Sequence, residues 1–317
     1  MRSFAVARRR SFEIWRVSMF FLICAALVSP APSSGAASLE NTSGLQGNLV
    51  SIGSDTLGSL TAVWAELLMR DHPQILVQVR AVGSGAAPTA LIEGTADLGP
   101  MSRPMSPGEV RAFTRRYGYP PTAVTVARDS LALFVHRDNP LESIDLQTLD
   151  SIFSVTRHCG AERSIELWDQ LLRGAEWERR PVSLYGRGTA SGTYSFFRKK
   201  VMCSGDFSPR LNRLVGSSAV VRAVAGDLAG IGYASAGYLN GSVKRLRVTR
   251  SDGVTPVGMS RDLFVYINQD PDVAADPLIA AFVGLAMSEQ GQREVEKAGY
   301  VRLTRSERAL EMSRLKR

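Results

Sequence analysis

The chain has little of what catalysis and cofactors usually need. Its 317 residues include three histidines, His72, His136 and His158, and three cysteines, Cys24, Cys159 and Cys203. No two histidines stand at metal-ligand spacing, so no metal site is expected. No glycine-rich loop runs into Gly-Lys-Ser/Thr and no Gly-x-Ser-x-Gly elbow occurs, so neither a P-loop nor a hydrolase nucleophile turn is indicated, and no cofactor is expected. No basic stripe interleaved with aromatics marks a nucleic-acid partner. Internal repeats and low-complexity segments are also missing. The 44% hydrophobic and 21% charged content is that of an ordinary globular protein.

One long apolar run stands apart. "VSMFFLICAALVS" (17–29) follows Arg8, Arg9 and Arg10 and precedes the small residues of "PAPSSGAAS". A charged start, an apolar core short for a membrane span and a small-residue exit predict a signal peptide over residues 1–37, cleaved after Ala36 or Ala37. A retained anchor is the alternative. Arg9-Arg10-Ser11-Phe12 is a weak match to a twin-arginine signal. The expected location is the periplasm. Of the net charge of +8, the leader carries five arginines against one glutamate, leaving about +4 on the exported part. That mild excess favours an anionic ligand. Export leaves Cys159 and Cys203, which an oxidising compartment allows to pair. Two buried thiols are the alternative.

Apolar strand-like runs alternate with helical periodicity, which predicts an α/β chain. Strands are expected at 49–54, 75–84, 96–102, 131–140, 181–187, 230–235 and 262–268. Helices are expected at 57–70, 88–96, 146–154, from about Gly192, and at 217–227. One or two more follow over "PLIAAFVGLAMSEQGQREVEKAG". The tail "TRSERALEMSRLKR" reads as a solvated or frayed basic end.

Three strand-to-helix junctions share a composition: "GSDTLGS" with Ser54, Asp55 and Thr56, "VGSGAAPT" with Ser84, and "YGRGTASGTYSFF" with Arg187, Ser191, Gly192 and Thr193. Each offers hydroxyls and small residues at a helix N-terminus, where unpaired N–H groups and the helix dipole favour an anion. Arg187 adds a permanent charge and a planar fork of donors. Taken singly, each loop is also an ordinary N-cap. A hydroxyl-rich site without an evident base suits holding an anion rather than reacting with it.

These segments, with "LALFVHRDNPLESIDLQTLDSIFS", "AVVRAVAGDLAGIGYAS" and "FVGLAMSEQGQREVEKAGYV", stand in an order that resembles the periplasmic phosphate-binding proteins of bacterial ABC phosphate transporters. The resemblance covers nearly all of residues 47–302. The Arg-x-x-x-Ser-Gly-Thr element and the Ser-x-x-Gly-Gln segment are its most specific parts. It implies a type II periplasmic binding-protein fold. Lobe one would combine residues 38–134 with 260–317, lobe two would span 135–259, and the anion would lie between them. It implies a monomer with inorganic phosphate and an inner-membrane ABC permease as partners, and no enzymatic activity. It carries ligand contacts onto Thr56, the backbone at Leu57, Ser84, Arg187, Ser191, Gly192 and Thr193.

The chain departs from the family in two places. An aspartate that accepts the proton of phosphate in better-known members is replaced in the neighbourhood of Ser102 and Arg103. Asp55 is the candidate to take that role, with a plain helix N-cap as its other reading. Thr189 stands where some relatives place an acid that pairs with the arginine, so Arg187 is expected to be less restrained. Two further functions stay open at this point: a phosphate sensor or scaffold on the same fold, and a phosphate-ester hydrolase.

Overall fold

The computed structural model describes residues 44–315. The expected signal peptide lies outside the described residues. In chain order the elements are β1 Gly47–Ile52, α1 Gly58–Asp71, β2 Ile75–Arg80, α2 Ala86–Ile92, β3 Leu98–Met101, α3 Pro107–Tyr117, β4 Thr122–His136, β5 Ser143–Asp145 and α4 Leu146–Phe153. They continue with β6 Ser183–Arg187, α5 Gly192–Val201, β7 Asn212–Leu214, α6 Ser217–Ala225, β8 Gly230–Ser235, β9 Val243–Thr249, β10 Ser260–Ile267, α7 Pro277–Met287, α8 Glu289–Lys297 and α9 Arg305–Ser313. No helix among the described residues is long and apolar enough to cross a membrane.

The strands run in the order β2-β1-β3-β10-β4-β8-β6-β7, with β9 also on β4 and β5 on β9. β4 is the shared member. Its residues 122–130 pair antiparallel with β10, and residues 131–136 pair antiparallel with β8 and β9. The first lobe is therefore the sheet β2-β1-β3-β10-β4, and the second is built on β4-β8-β6-β7. This is the two-lobed type II periplasmic binding fold.

Each lobe has its own core. In the first, Leu60, Trp64 and Leu68 of α1 meet Phe282 and Val283 of α7 and Val295 of α8 on one face of the sheet. Leu91 of α2 and Phe113 of α3 cover the other face with Met101 and Tyr266. In the second lobe α4 and α5 bring Phe153 and Phe197 onto one face, and Val220 and Val224 of α6 fill the other. Helix starts follow local chemistry. Ser106 and Glu109 form a capping box ahead of Pro107 in α3, Asp145 caps α4, and Asp276 with Pro277 opens α7.

The Ser-x-x-Gly-Gln segment has a structural role here. Ser288 caps α8 by accepting from the Gly291 N–H at 3.0 Å. Gln292, fully buried, donates through Nε2 to the Val126 and Ala286 carbonyls and accepts from the Leu303 N–H. Val126 sits at a bulge in β4, where the pairing with β10 shifts between Leu263 and Phe264. A bulge orphans ladder groups, and a buried orphan is costly. Gln292 supplies one missing partner, and Glu311 accepts from the neighbouring Thr125 N–H.

Glu311 belongs to α9, which corrects the expectation of a frayed tail. Thr304 and Glu307 form its capping box, Arg308 donates to the Met287 carbonyl, and Leu315 is buried in the first-lobe core. Its apolar residues are too few for its periodicity to stand out in a charged stretch. α3, β5, β7, β9 and the first half of β4 also have no counterpart among the expected elements. In β4 the bulge at Val126 breaks the alternation, and in β9 Lys244, Arg245 and Arg247 interrupt the apolar run.

Cys159 and Cys203 are joined as a disulfide with a Cα–Cα distance of 5.2 Å, tying the loop after α4 to the C-terminal end of α5. The bridge closes a span of 44 residues, which in the chain-entropy account stabilises by about 4 kcal/mol. Cys159→Ser/Cys203→Ser should lower the denaturant midpoint accordingly, and unreduced, alkylated wild type should show no free thiol by mass spectrometry.

The anchoring of α9 should respond to acid. Bonds from Arg128 and from the Thr304 N–H and hydroxyl hold the Glu307 carboxyl down from its ordinary 4.5 to about 2. A depressed folded-state value contributes stability above about pH 4.5 that is lost as pH falls towards 2. Amide protection factors in α9 should drop across that window in wild type and change less in Glu307→Gln.

Candidate functional site

In both lobes the parallel strands point their C-terminal ends at one crevice, the usual ligand position in an open α/β sheet. From the first lobe come the loop after β1 with Ser54, Asp55 and Thr56, the loop after β2 with Ser84, and Ser102 directly after β3. From the second come Arg187 at the end of β6, the start of α5, Ser217 at the start of α6, and Ser235 at the end of β8.

These groups meet across the lobes. Thr56 Oγ1 lies 3.2 Å from Thr193 Oγ1, and both side chains are fully buried. The Gly85 N–H donates to the Ala190 carbonyl at 2.9 Å. The Ser84 hydroxyl accepts from the Ser102 N–H at 3.0 Å and stands 3.2 Å from the Ser102 hydroxyl. Gly192 packs directly on this serine pair. A Cβ there would sit 2.4 Å from Ser102 Oγ and 2.7 Å from Ser84 Oγ, so only glycine allows this approach. Ser191 is the N-cap of α5, accepting from the Thr193 N–H at 3.1 Å. Leu57 contributes backbone only: its side chain lies in the first-lobe core, and its N–H points at the Ser54 hydroxyl at 3.4 Å.

Arg187 is buried and held from three sides. Nη1 lies 2.6 Å from Asp55 Oδ2 and donates to Ser217 Oγ at 3.1 Å, and Nε donates to the Leu214 carbonyl at 3.3 Å. The expectation of a loosely held arginine is thereby corrected. Thr189 is exposed, and the acidic partner comes from the opposite lobe instead. The N-cap reading of Asp55 fails too, because α1 has no side-chain cap. Neither Asp55 oxygen accepts a hydrogen bond from the protein, although both are buried, so the contact with Arg187 is ionic without hydrogen-bond geometry. A buried carboxylate with unused acceptor positions sits at the crevice.

A second ion pair was not legible as part of the site. Asp129 of β4 and Arg261 of β10 are register partners, and Asp129 Oδ2 accepts from Arg261 Nη2 at 2.7 Å and Nε at 3.0 Å. Both side chains are almost fully buried. Asp129 Oδ1 also accepts from Ser235 at 2.7 Å. Arg261 further donates to the Ser102 carbonyl, to Thr193 Oγ1 at 2.8 Å and to Thr56 Oγ1 at 3.4 Å. Asp129 and Arg261 stand just ahead of the strands expected at 131–140 and 262–268, and the longer observed strands bury both charges, each of which needs a partner.

Two tyrosines complete the walls. Tyr238 donates to the Asp55 carbonyl at 2.9 Å, and Tyr300 to the Thr56 carbonyl at 2.6 Å. Burial pushes both phenols above their ordinary range, which keeps them as donors. Asp97 is structural, accepting from the Val50 N–H at 2.7 Å. Among the described residues no three His, Cys, Asp or Glu side chains group to hold a metal ion.

The comparisons agree with this architecture. The family described as the PBP superfamily domain matches residues 38–289. The phosphate-binding protein PstS of Pseudomonas aeruginosa is 45% identical over 276 residues, covering 83% of this chain and 85% of that protein. The PstS of Staphylococcus aureus is 22% identical over 278 residues, covering 83% of this chain and 80% of its own. Among solved structures, an ABC-type phosphate transport receptor from Vibrio cholerae superposes with a TM-score of 0.61 at 23% identity, covering 80% of this chain and all of that one. A phosphate-binding protein from Stenotrophomonas maltophilia gives 0.64 at 11%, covering 84% and 93%. The chain belongs to the PBP superfamily and, within it, to the family of PstS phosphate-binding proteins.

Proposed function

We propose that this chain is a periplasmic receptor that captures inorganic phosphate between its lobes, 38–134 with 260–317 and 135–259, and hands it to an ABC permease. The carrying observation is the arrangement across the crevice: four hydroxyls in two facing groups, the N-terminus of α5, and the buried guanidinium of Arg187. The hydroxyls of Thr56, Ser84, Ser102, Ser191 and Thr193, with the N–H groups at Leu57 and Gly192, are the donors for the phosphate oxygens. Asp55 is the acceptor. Phosphate keeps a proton near neutral pH and sulfate does not, so one buried carboxylate admits the first and repels the second. A hydrolase would need a base beside a nucleophile. The two acids at the crevice are engaged by arginines, which favours holding the anion over cleaving an ester.

Calorimetric titration of ligand-stripped protein with phosphate, arsenate and sulfate tests the reading, and phosphate is expected to bind and sulfate to bind weakly. Arg187→Ala removes a charge-assisted contact in a desolvated crevice and leaves Asp55 unpaired. Affinity for phosphate should fall by about 2–5 kcal/mol, or roughly 30- to 4,000-fold. A variant within threefold of wild type would take Arg187 out of the site.

Asp55→Asn tests the selectivity. An amide donates where the carboxylate cannot, so the variant should bind phosphate less tightly and sulfate relatively better. Competition of sulfate against labelled phosphate measures the ratio. An unchanged ratio would move selectivity to Ser102 and the backbone donors.

A further inference from the structure

A second cavity opens beside the crevice, and the phosphate reading does not account for it. It holds about 540 Å³ and straddles both lobes. Arg103, Pro104 and Phe264 line it from the first lobe, and Phe196, Lys199 and Lys200 of α5 from the second. Ser102 and the buried Arg261 also line it, so its floor is the outer wall of the anion site. Phe196 lies over the Arg261 guanidinium, 5.5 Å from ring centroid to Cζ.

The lining carries both signs, and its charges without an ion-pair partner among the described residues are two lysines. Lys199 and Lys200 are exposed and form no ion pair among the described residues. Arg103 is bound to Glu109 through two contacts of 2.7 Å. Asp262, the acid of the lining, is 3.2 Å from Arg128. The net field at the mouth is that of the two lysines. Phe196, Phe264 and Pro104 form the walls, and low-dielectric walls around an excess of positive charge concentrate the field and the counter-ion with it.

We propose that this cavity, at the seam of the two lobes, is a vestibule in which Lys199 and Lys200 gather the phosphate anion before it enters the crevice between the lobes. The inference rests on the phosphate reading and adds to it a route and a kinetic role for residues that do not touch the bound anion. Lysines in the last turn of a helix also complement its dipole. That effect concerns the stability of α5 and predicts no change in the rate of anion capture.

The test is rapid mixing of ligand-stripped protein with radiolabelled phosphate across ionic strengths. Lys199→Gln/Lys200→Gln should lower the association rate constant about tenfold at low salt. It should converge on wild type near 1 M salt, where the Debye length is about 3 Å. The dissociation rate should not change, so the equilibrium constant should weaken by the same factor. Lys199→Glu/Lys200→Glu should slow capture further. Arg115→Gln/Arg116→Gln, in the last turn of α3 and outside the cavity lining, removes the same charge and should leave the rate near wild type. An association rate and salt slope in the lysine variant equal to those of wild type or of the α3 control would overturn the vestibule. Equilibrium titration of wild type separates the two ideas: phosphate binding with no vestibule effect removes only the vestibule, and no binding at all removes the receptor reading and the vestibule together.

Discussion

The buried pair of Asp129 and Arg261 is the interaction on which the crevice depends. It joins the two strands that carry the chain between lobes, at positions set opposite each other by the β4–β10 register. Removing either partner would strand a charge in the interior, at a cost of about 3–5 kcal/mol. The guanidinium also reaches Ser102 in one lobe and Thr193 in the other. Its effect on the threonines is chemical as well as mechanical. A hydroxyl oxygen that accepts from a guanidinium still has its own proton to give. Arg261 thereby biases Thr56 and Thr193 to act as donors towards whatever lies between them.

Charge at the crevice is balanced. Each arginine faces an aspartate, Arg187 with Asp55 across the lobes and Arg261 with Asp129 along the strands. Under the proposed function, oriented donors and one acceptor distinguish anions by protonation and shape. Net positive charge attracts every anion alike. The arginines inside the crevice are each paired with an acid, whereas Lys199 and Lys200 outside it form no ion pair among the described residues.

Much of this was legible in the sequence, for a definite reason. Hydroxyls, small residues and an arginine at three strand-to-helix junctions are local patterns, and the parallel topology delivers such junctions to one end of each sheet. The pairings could not be read locally. Asp55 meeting Arg187, and Asp129 meeting Arg261, depend on lobe apposition and strand register, and neither is encoded within a few residues. Gln292 shows the intermediate case. Its motif was recognisable, but its role as partner of the Val126 carbonyl exists only because β4 carries a bulge there. The α9 tail shows the converse, since a charged composition concealed a helix held by Glu311 and Leu315.

The continuity of β4 has a mechanical consequence. One strand of 15 residues serves both sheets, with β10 on its first half and β8 and β9 on its second. Any rotation of the lobes has to be absorbed as torsion along this rod, because no flexible loop interrupts it. Twist spread over several residues changes each backbone angle by little and leaves the ladder bonds made. Such a joint behaves as an elastic spring, with a restoring torque that rises smoothly in both directions, where a loop hinge would swing freely until it struck a stop.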